Sequence, residues 1–260
     1  MNGAPASTPG LSIVIPAWNE EARLPPTLAR YLTALESQRL PFEIIVVTEG
    51  AGDRTVEVAD AFHARHVRLL RFPERLGKGG AIMAGVMASQ YDWIGYVDAD
   101  GPLEASELVA IAEGLGDADC VVASRRVPGS RAVRGQPWER RLAGGLWSAL
   151  VRAILLMPLH DTQFGAKFFR RAVLLRALES VSVKNWAFDV SLLFQLFRSG
   201  RSIREVPATW SHDPDSRLVL TRVVPIMLLS LLGMRLMNLG TVRRPTPAWI
   251  LQFALRFATE

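Results

Sequence analysis

The first half of the chain alternates short, continuous apolar runs with segments whose apolar residues recur every three or four positions. Residues 11–15, 42–47, 66–71, 93–97 and 120–123 are strand-length runs, and the second of them is continuous and β-branched apart from Phe42 and Glu43, as in strands covered on both faces. Between the runs, 20–38 sets Leu24, Leu28, Tyr31, Leu32 and Leu35 on one helical face, with Pro25 and Pro26 tolerable only in its first turns. Asp53 is placed to cap a helix reaching to about Ala64, and further helices are expected at 79–89 and from 104 to about 113. Pro16 cannot donate to a ladder and is expected to close the first strand. Strand–helix alternation with short connections predicts an α/β domain, a mainly parallel sheet flanked by helices.

The second half is less regular. A helix is expected at 138–157, a strand at 163–169, a helix at 186–199 and a strand at 202–210. From 218 onward the chain turns apolar, but its uncharged stretch runs only from 223 to 234. A bilayer-spanning helix needs about 20 apolar residues. The chain therefore divides into a flexible start (1–10), an α/β domain (11–217) and an apolar helical region (218–260). In that last region Arg222, Arg235, Arg243, Arg244 and Arg256 punctuate apolar stretches, as in helices lying in a bilayer interface. A homodimer interface and ordinary core packing account for the same pattern.

With 49% hydrophobic and 21% charged residues, the chain is globular rather than disordered. Cys120 is the single cysteine, which excludes an internal disulfide framework and fits a reducing compartment. Residues 1–10 carry neither a basic nor an apolar leader segment, so a cytoplasmic location is expected. The net charge of +5 is unevenly spread: Arg125, Arg126, Arg131, Arg134, Arg140 and Arg141 face one acid, Glu139. Such a run suits a multiply charged phosphate, a nucleic acid or an anionic membrane, or is simply a solvated loop. Apart from Trp138 no aromatic residue is interleaved with it, which counts against a nucleic acid.

The most informative residues end the fourth strand. In Val97-Asp98-Ala99-Asp100, an extended chain would project Asp98 and Asp100 together and turn Ala99 away. Two carboxylates at a strand's C-terminal edge can hold a hard cation, Mg2+ or Mn2+, with positions left for phosphate oxygens. A turn at Gly101-Pro102, stabilised by the aspartates, is the alternative. Ser12 to Glu20 gathers a strand, a turn, an aromatic and an acid (Pro16, Ala17, Trp18, Glu20), the ingredients of a nucleobase pocket. Gly77-Lys78-Gly79-Gly80 fails as a phosphate-binding loop of the Walker type, since Phe72 stands where a glycine is needed and Gly79 where Ser or Thr is needed. Ser211-His212-Asp213 cannot converge as a catalytic triad, and the four histidines lack paired metal-ligand spacing.

Taken in order, Ile15-Pro16-Ala17-Trp18-Asn19-Glu20, Gly77-Lys78-Gly79-Gly80-Ala81, Asp98-Ala99-Asp100-Gly101, Ser124-Arg125, Asp161-Thr162-Gln163-Phe164-Gly165-Ala166-Lys167 and Phe188-Asp189 resemble the inverting glycosyltransferases of family 2. These have the GT-A fold, a Rossmann-like, mainly parallel sheet, and the resemblance spans roughly 12–217. Within the family the chain looks most like polyprenyl-phosphate glucosyl- and mannosyltransferases of the dolichyl-phosphate type. The resemblance implies a nucleotide-sugar donor, of the UDP-glucose or GDP-mannose type, bound through Pro16, Ala17, Trp18, Glu20, Glu49, Lys78 and Asp98. It also implies a metal at Asp98 and Asp100, and an acid, Asp189, on the acceptor side.

A hydroxyl acceptor would need Asp189 as a base, whereas a monophosphate is already largely ionised at neutral pH. For a lipid phosphate, Arg125 and Arg126 supply bidentate donors, with Arg131, Gln163 and Arg217 as further contacts. Work on a lipid acceptor would place the protein peripherally at the inner face of the plasma membrane. The alternative keeps the same donor chemistry and takes a soluble sugar or phosphorylated small molecule as acceptor. One position departs from the family pattern: where paired aspartates usually follow the second strand, this chain has Thr48 and Glu49.

Overall fold

The parallel strands of one sheet carry the apolar runs to a common edge, and that edge is what organises the molecule. The protein is described by a computed structural model over residues 10–50, 52–63, 66–181, 187–212 and 220–237. In chain order the elements are β1 (Leu11–Ala17), α1 (Leu24–Glu36), β2 (Phe42–Glu49), α2 (Thr55–Asp60), β3 (Val67–Phe72), α3 (Gly77–Ala88), β4 (Trp93–Val97) and α4 (Glu107–Glu113). These are followed by β5 (Cys120–Ser124), β6 (Arg131–Arg134), α5 (Trp138–Leu155), β7 (Ala166–Arg170), α6 (Arg171–Leu178), α7 (Phe188–Arg198), β8 (Ile203–Pro207), β9 (Thr209–Ser211) and α8 (Leu220–Met237).

The main sheet runs β3-β2-β1-β4-β7-β5-β8, and β6 and β9 form a small separate ribbon. Strand side chains alternate between two cores. Ile13, Ile15, Ile44 and Val46 pack with Leu28, Leu32 and Leu108 on one face. Val14, Ile45 and Val47 pack on the other with Ala81, Val151, Phe188 and Leu231. Every residue of β2 is buried, as an interior strand covered on both faces requires.

β7 is the antiparallel member, lying between β4 and β5. Its first residue, Ala166, pairs with the last of β4, Val97. An antiparallel strand must begin where its neighbour ends, so the segment 161–165 is delivered to the same edge as Asp98.

Several expectations are corrected. Pro16 does not close β1, which pairs with β2 as far as Ala17; its ladder with β4 has already ended at Val14, so Pro16 meets β2 alone. The run 202–210 is two strands, because after Pro207 the chain leaves the sheet and β9 pairs with β6. β6 and α6 were not anticipated: all four residues of β6 are exposed, so no apolar alternation marks it. Asp98, Ala99, Asp100 and Gly101 are not extended but form a turn, in which the Gly101 amide donates to the Asp98 carbonyl at 3.0 Å. No described helix is long and apolar enough to cross a membrane. Residues 1–9 and most of 218–260 lie outside the described residues, α8 being the part of the latter that is described.

Candidate functional site

β1, β2 and β4 end together, and the residues that follow them face one another. Gly101 has a φ of +59°, and a Cβ there would come within 2.6 Å of Thr27 Oγ1, so the turn that carries Asp98 and Asp100 needs glycine at this point. Ala99 is buried in the core and anchors the turn, while the Asp98 side chain keeps 32% of its surface exposed. Behind Asp98 lies the 161–165 segment: the Asp98 amide donates to the Gly165 carbonyl at 2.9 Å. A Cβ on Gly165 would sit 2.0 Å from Asp98 Oδ2. That glycine leaves the carboxylate its room.

Lys78, in the first turn of α3, reaches this edge. Its Nζ lies 2.9 Å from Asp98 Oδ1 and 3.2 Å from Asp189 Oδ2. Asp189, in the first turn of α7, is 1% exposed and also receives Lys167 Nζ at 2.6 Å and the Tyr96 hydroxyl at 2.7 Å, both on Oδ1. Burial opposes the Asp189 charge, but Lys167 and Lys78 outweigh it and hold the carboxyl well below the usual carboxylate range. Burial likewise opposes the Lys78 charge, and Asp189 and Asp98 overcome it, raising its pKa above the ordinary lysine value. Both groups are therefore ionised at neutral pH.

A divalent cation fits this donor set. Asp98 and Asp100 offer hard oxygen ligands one residue apart, and Mg2+ or Mn2+ typically takes one or two carboxylates, completing its shell from phosphates and water. Among the described residues no group of three or more His, Cys, Asp or Glu could hold a metal by itself. Such an ion would offset charge on a departing diphosphate.

Beyond the aspartates, β5 ends at Ser124 and is followed by Arg125. The Arg125 Nε and Nη2 donate to Asp161 at 2.7 and 2.9 Å, and its amide donates to the same carboxylate at 3.0 Å. Asp161 is itself fixed by Glu205, which accepts its amide at 2.8 Å. One edge of the Arg125 guanidinium is thus committed to the protein, and its face lies over Phe164. Arg126 differs. Its guanidinium rests against Gly144 and Gly145 of α5, and burial, with Arg125 and Arg152 nearby, lowers its pKa despite Asp161. Gln163 is half-buried, and its Nε2, like Thr162 Oγ1, is a buried polar atom with no hydrogen-bond partner in the protein. Arg131 is exposed on β6, its amide donating to the Ala208 carbonyl at 3.0 Å, and Arg217 lies outside the described residues.

On the β1 side, Pro16 is half-buried, Ala17 is buried and Trp18 is 38% exposed. Trp18 donates to the Gly50 carbonyl at 3.3 Å, and the Arg75 guanidinium stacks over its ring at 3.6 Å. Glu20 pairs with Arg23 at 2.6 Å. Glu49 is buried, and its Oε2 accepts the amides of Leu76 and Gly77, the latter at 2.6 Å. The carboxylate standing where the family usually has an aspartate thus caps the entry to α3, the helix that carries Lys78.

A family model for glycosyl transferase family 2 matches residues 12–178. The chain belongs to this family. The human dolichyl-phosphate beta-glucosyltransferase is 31% identical over 230 residues, covering 82% of this chain and 70% of that protein. Among solved structures, glucosyl-3-phosphoglycerate synthase from Mycobacterium tuberculosis in complex with Mn2+ and UDP-glucose superposes with a TM-score of 0.62 at 23% identity, over 86% of this chain and 79% of that one. The same enzyme with Mg2+ and UDP gives 0.61 at 22% identity, over 86% and 80%. The GT-A architecture expected of a family 2 glycosyltransferase is thus present.

Three residues of the cluster carried no assigned role in the sequence: Lys167, Tyr96 and Asp161. Lys167 left a trace, as a single charge between Phe164 and Phe168-Phe169 in a run otherwise suited to a buried strand. A lone lysine in such a run demands a buried anion.

Proposed function

We infer that this family 2 glycosyltransferase moves glucose from a UDP-type nucleotide sugar to a polyprenyl phosphate, the acceptor oxygen attacking the anomeric carbon and inverting it as the nucleoside diphosphate departs. The observation that carries the acceptor class is the state of Asp189. Buried, ionised and held by two lysines and a tyrosine, it is poorly disposed to take a proton from a hydroxyl. A monophosphate, with a second pKa of about 6, arrives with its nucleophilic oxygen already ionised. The 31% identity to a dolichyl-phosphate beta-glucosyltransferase points the same way.

In this account Asp98 and Asp100 hold the metal, Lys78 neutralises diphosphate oxygens, and Arg126 takes the acceptor phosphate with Arg125 and Gln163 beside it. Trp18, pinned between Arg75 and Gly50, offers the nucleobase a flat apolar edge. The lipid would be met at a membrane surface. α5 exposes Trp138, Leu142 and Leu146 along one ridge, and α8, which packs against it, exposes Leu229, Leu232 and Leu236. Exposed Arg131, Arg134 and Arg141 flank them.

The test is transfer of labelled glucose from UDP-glucose to a short-chain polyprenyl phosphate, to the matching polyprenol and to 3-phosphoglycerate. Label should enter the organic phase with the polyprenyl phosphate alone. Equal transfer to the polyprenol would contradict the acceptor class, and transfer only to phosphoglycerate would replace the lipid with a soluble phosphate.

A further inference from the structure

From the interior to the sheet edge, four charges alternate in sign: Lys167, Asp189, Lys78, Asp98. Lys167 is 0% exposed, and its Nζ bonds Asp189 Oδ1 at 2.6 Å and the Phe164 carbonyl at 2.7 Å. Tyr96 donates to the same carboxylate oxygen at 2.7 Å. Lys78 is held from the other side, 3.2 Å from Asp189 Oδ2 and 2.9 Å from Asp98 Oδ1. Simple anchoring of α7 to the sheet would need only one of these lysines. Two buried ammonium groups on one carboxylate are costly to desolvate, and that arrangement calls for a reason other than stability.

Charge balance supplies one. With Lys78 as its only cation, Asp189 would cancel the lysine's charge, and Lys78 would present little net field to an anion at the sheet edge. With Lys167 inside, Asp189 is already balanced and Lys78 is shared with Asp98 alone, so that once a cation engages Asp98 the lysine is left for the diphosphate. We propose that Lys167, with Tyr96, is a positioning residue for donor binding: it neutralises Asp189 from within, so that Lys78 keeps its charge for the diphosphate of the nucleotide sugar. The proposal rests on the donor-site assignment given above and adds to it a residue that no substrate atom need touch.

The test reads binding rather than turnover: calorimetry of UDP with Mn2+ on the full chain, with the thermal transition of each protein measured alongside. Lys167→Met leaves Asp189 to claim Lys78, and UDP affinity should fall by roughly tenfold or more. Adding Asp189→Asn removes the claim, and the K167M/D189N protein should recover to within about threefold of wild type, because a buried ion pair replaced on both sides leaves no stranded charge. A merely structural role predicts instead that UDP affinity follows the thermal transition, falling in K167M only as far as the melting temperature falls. Unchanged affinity in K167M, or no recovery in the double variant, overturns the proposal. Should K167M fail to fold, the double variant decides by itself, and a tenfold loss there overturns it. A wild-type chain that binds no UDP removes the donor-site assignment and this inference together, an outcome distinct from either result among the variants.

Discussion

Gly165→Ala asks whether the position of the Asp98 carboxylate matters. The added Cβ would lie 2.0 Å from Asp98 Oδ2, 2.4 Å from Cγ and 2.9 Å from Cβ, and ordinary contact begins near 3.4 Å. The nearest oxygen must therefore move by about 1.4 Å, or β7 must recede by a similar amount. β7 is hydrogen-bonded to β4 on one side and β5 on the other, so it resists that movement. The carboxylate is at the rim and partly exposed, so it is the element that yields. Overpacking of this kind costs roughly 1–3 kcal/mol in stability. A displacement of about 1 Å at a reacting centre can cost on the order of a hundredfold in rate. Glucosyl transfer at saturating donor, together with a thermal melt, separates the two effects. The expected result is a fall of two orders of magnitude or so in turnover with a folded protein whose melting temperature drops by a few degrees. Full activity together with an unchanged melting temperature would mean that Asp98 need not stand where the structure puts it.

Three further outcomes follow from the same geometry. Glu49→Ala strips the acceptor from the Leu76 and Gly77 amides, and should cost about 1–3 kcal/mol, seen as a lower midpoint in urea with an unchanged slope. Asp161 is held below the ordinary carboxylate pKa by Arg125, against the opposing effect of its burial. Its contribution to stability is therefore complete above the unfolded value of about 3.9 and disappears as pH falls through the lower folded value. Urea midpoints taken between neutrality and pH 3 should decline steeply for wild type and less steeply for Asp161→Asn. Replacing Leu142 and Leu146 with glutamate puts charge on the exposed ridge of α5, and should abolish co-sedimentation with anionic vesicles while leaving the melting temperature unchanged. Loss of a dimer instead, with no vesicle binding in wild type, would assign that ridge to a second copy of the chain.

Much of the sheet was legible in the sequence because its strands are buried on both faces. Apart from Glu43 the 42–47 run is apolar and mostly β-branched, and it became β2 with only two residues added. The 93–97 run matched β4 at both ends. β6 was illegible for the opposite reason, since a four-residue, fully exposed, arginine-bounded strand has no burial pattern to read. At the site, the resemblance named Asp98 and Lys78 separately, and the structure brings them to 2.9 Å of each other. Their partners were hidden because the contacts cross long sequence separations: Tyr96 meets Asp189 only because β4 and α7 face each other across the sheet. Glu49 shows a further limit. Its chemistry as an acceptor was plain, but whether it served a ligand or the amides of α3 depended on a loop path that no local pattern fixes.

In the proposed donor site Asp98 and Asp100 would hold a divalent cation that offsets the charge of a nucleoside diphosphate. Calorimetric titration of UDP into wild type and Asp100→Ala, each with Mn2+ and with a chelator, tests it most directly. Wild type should bind UDP tightly only when Mn2+ is present, and Asp100→Ala, with an intact thermal transition, should bind equally weakly in both conditions. Metal-dependent binding of undiminished strength in Asp100→Ala would contradict it.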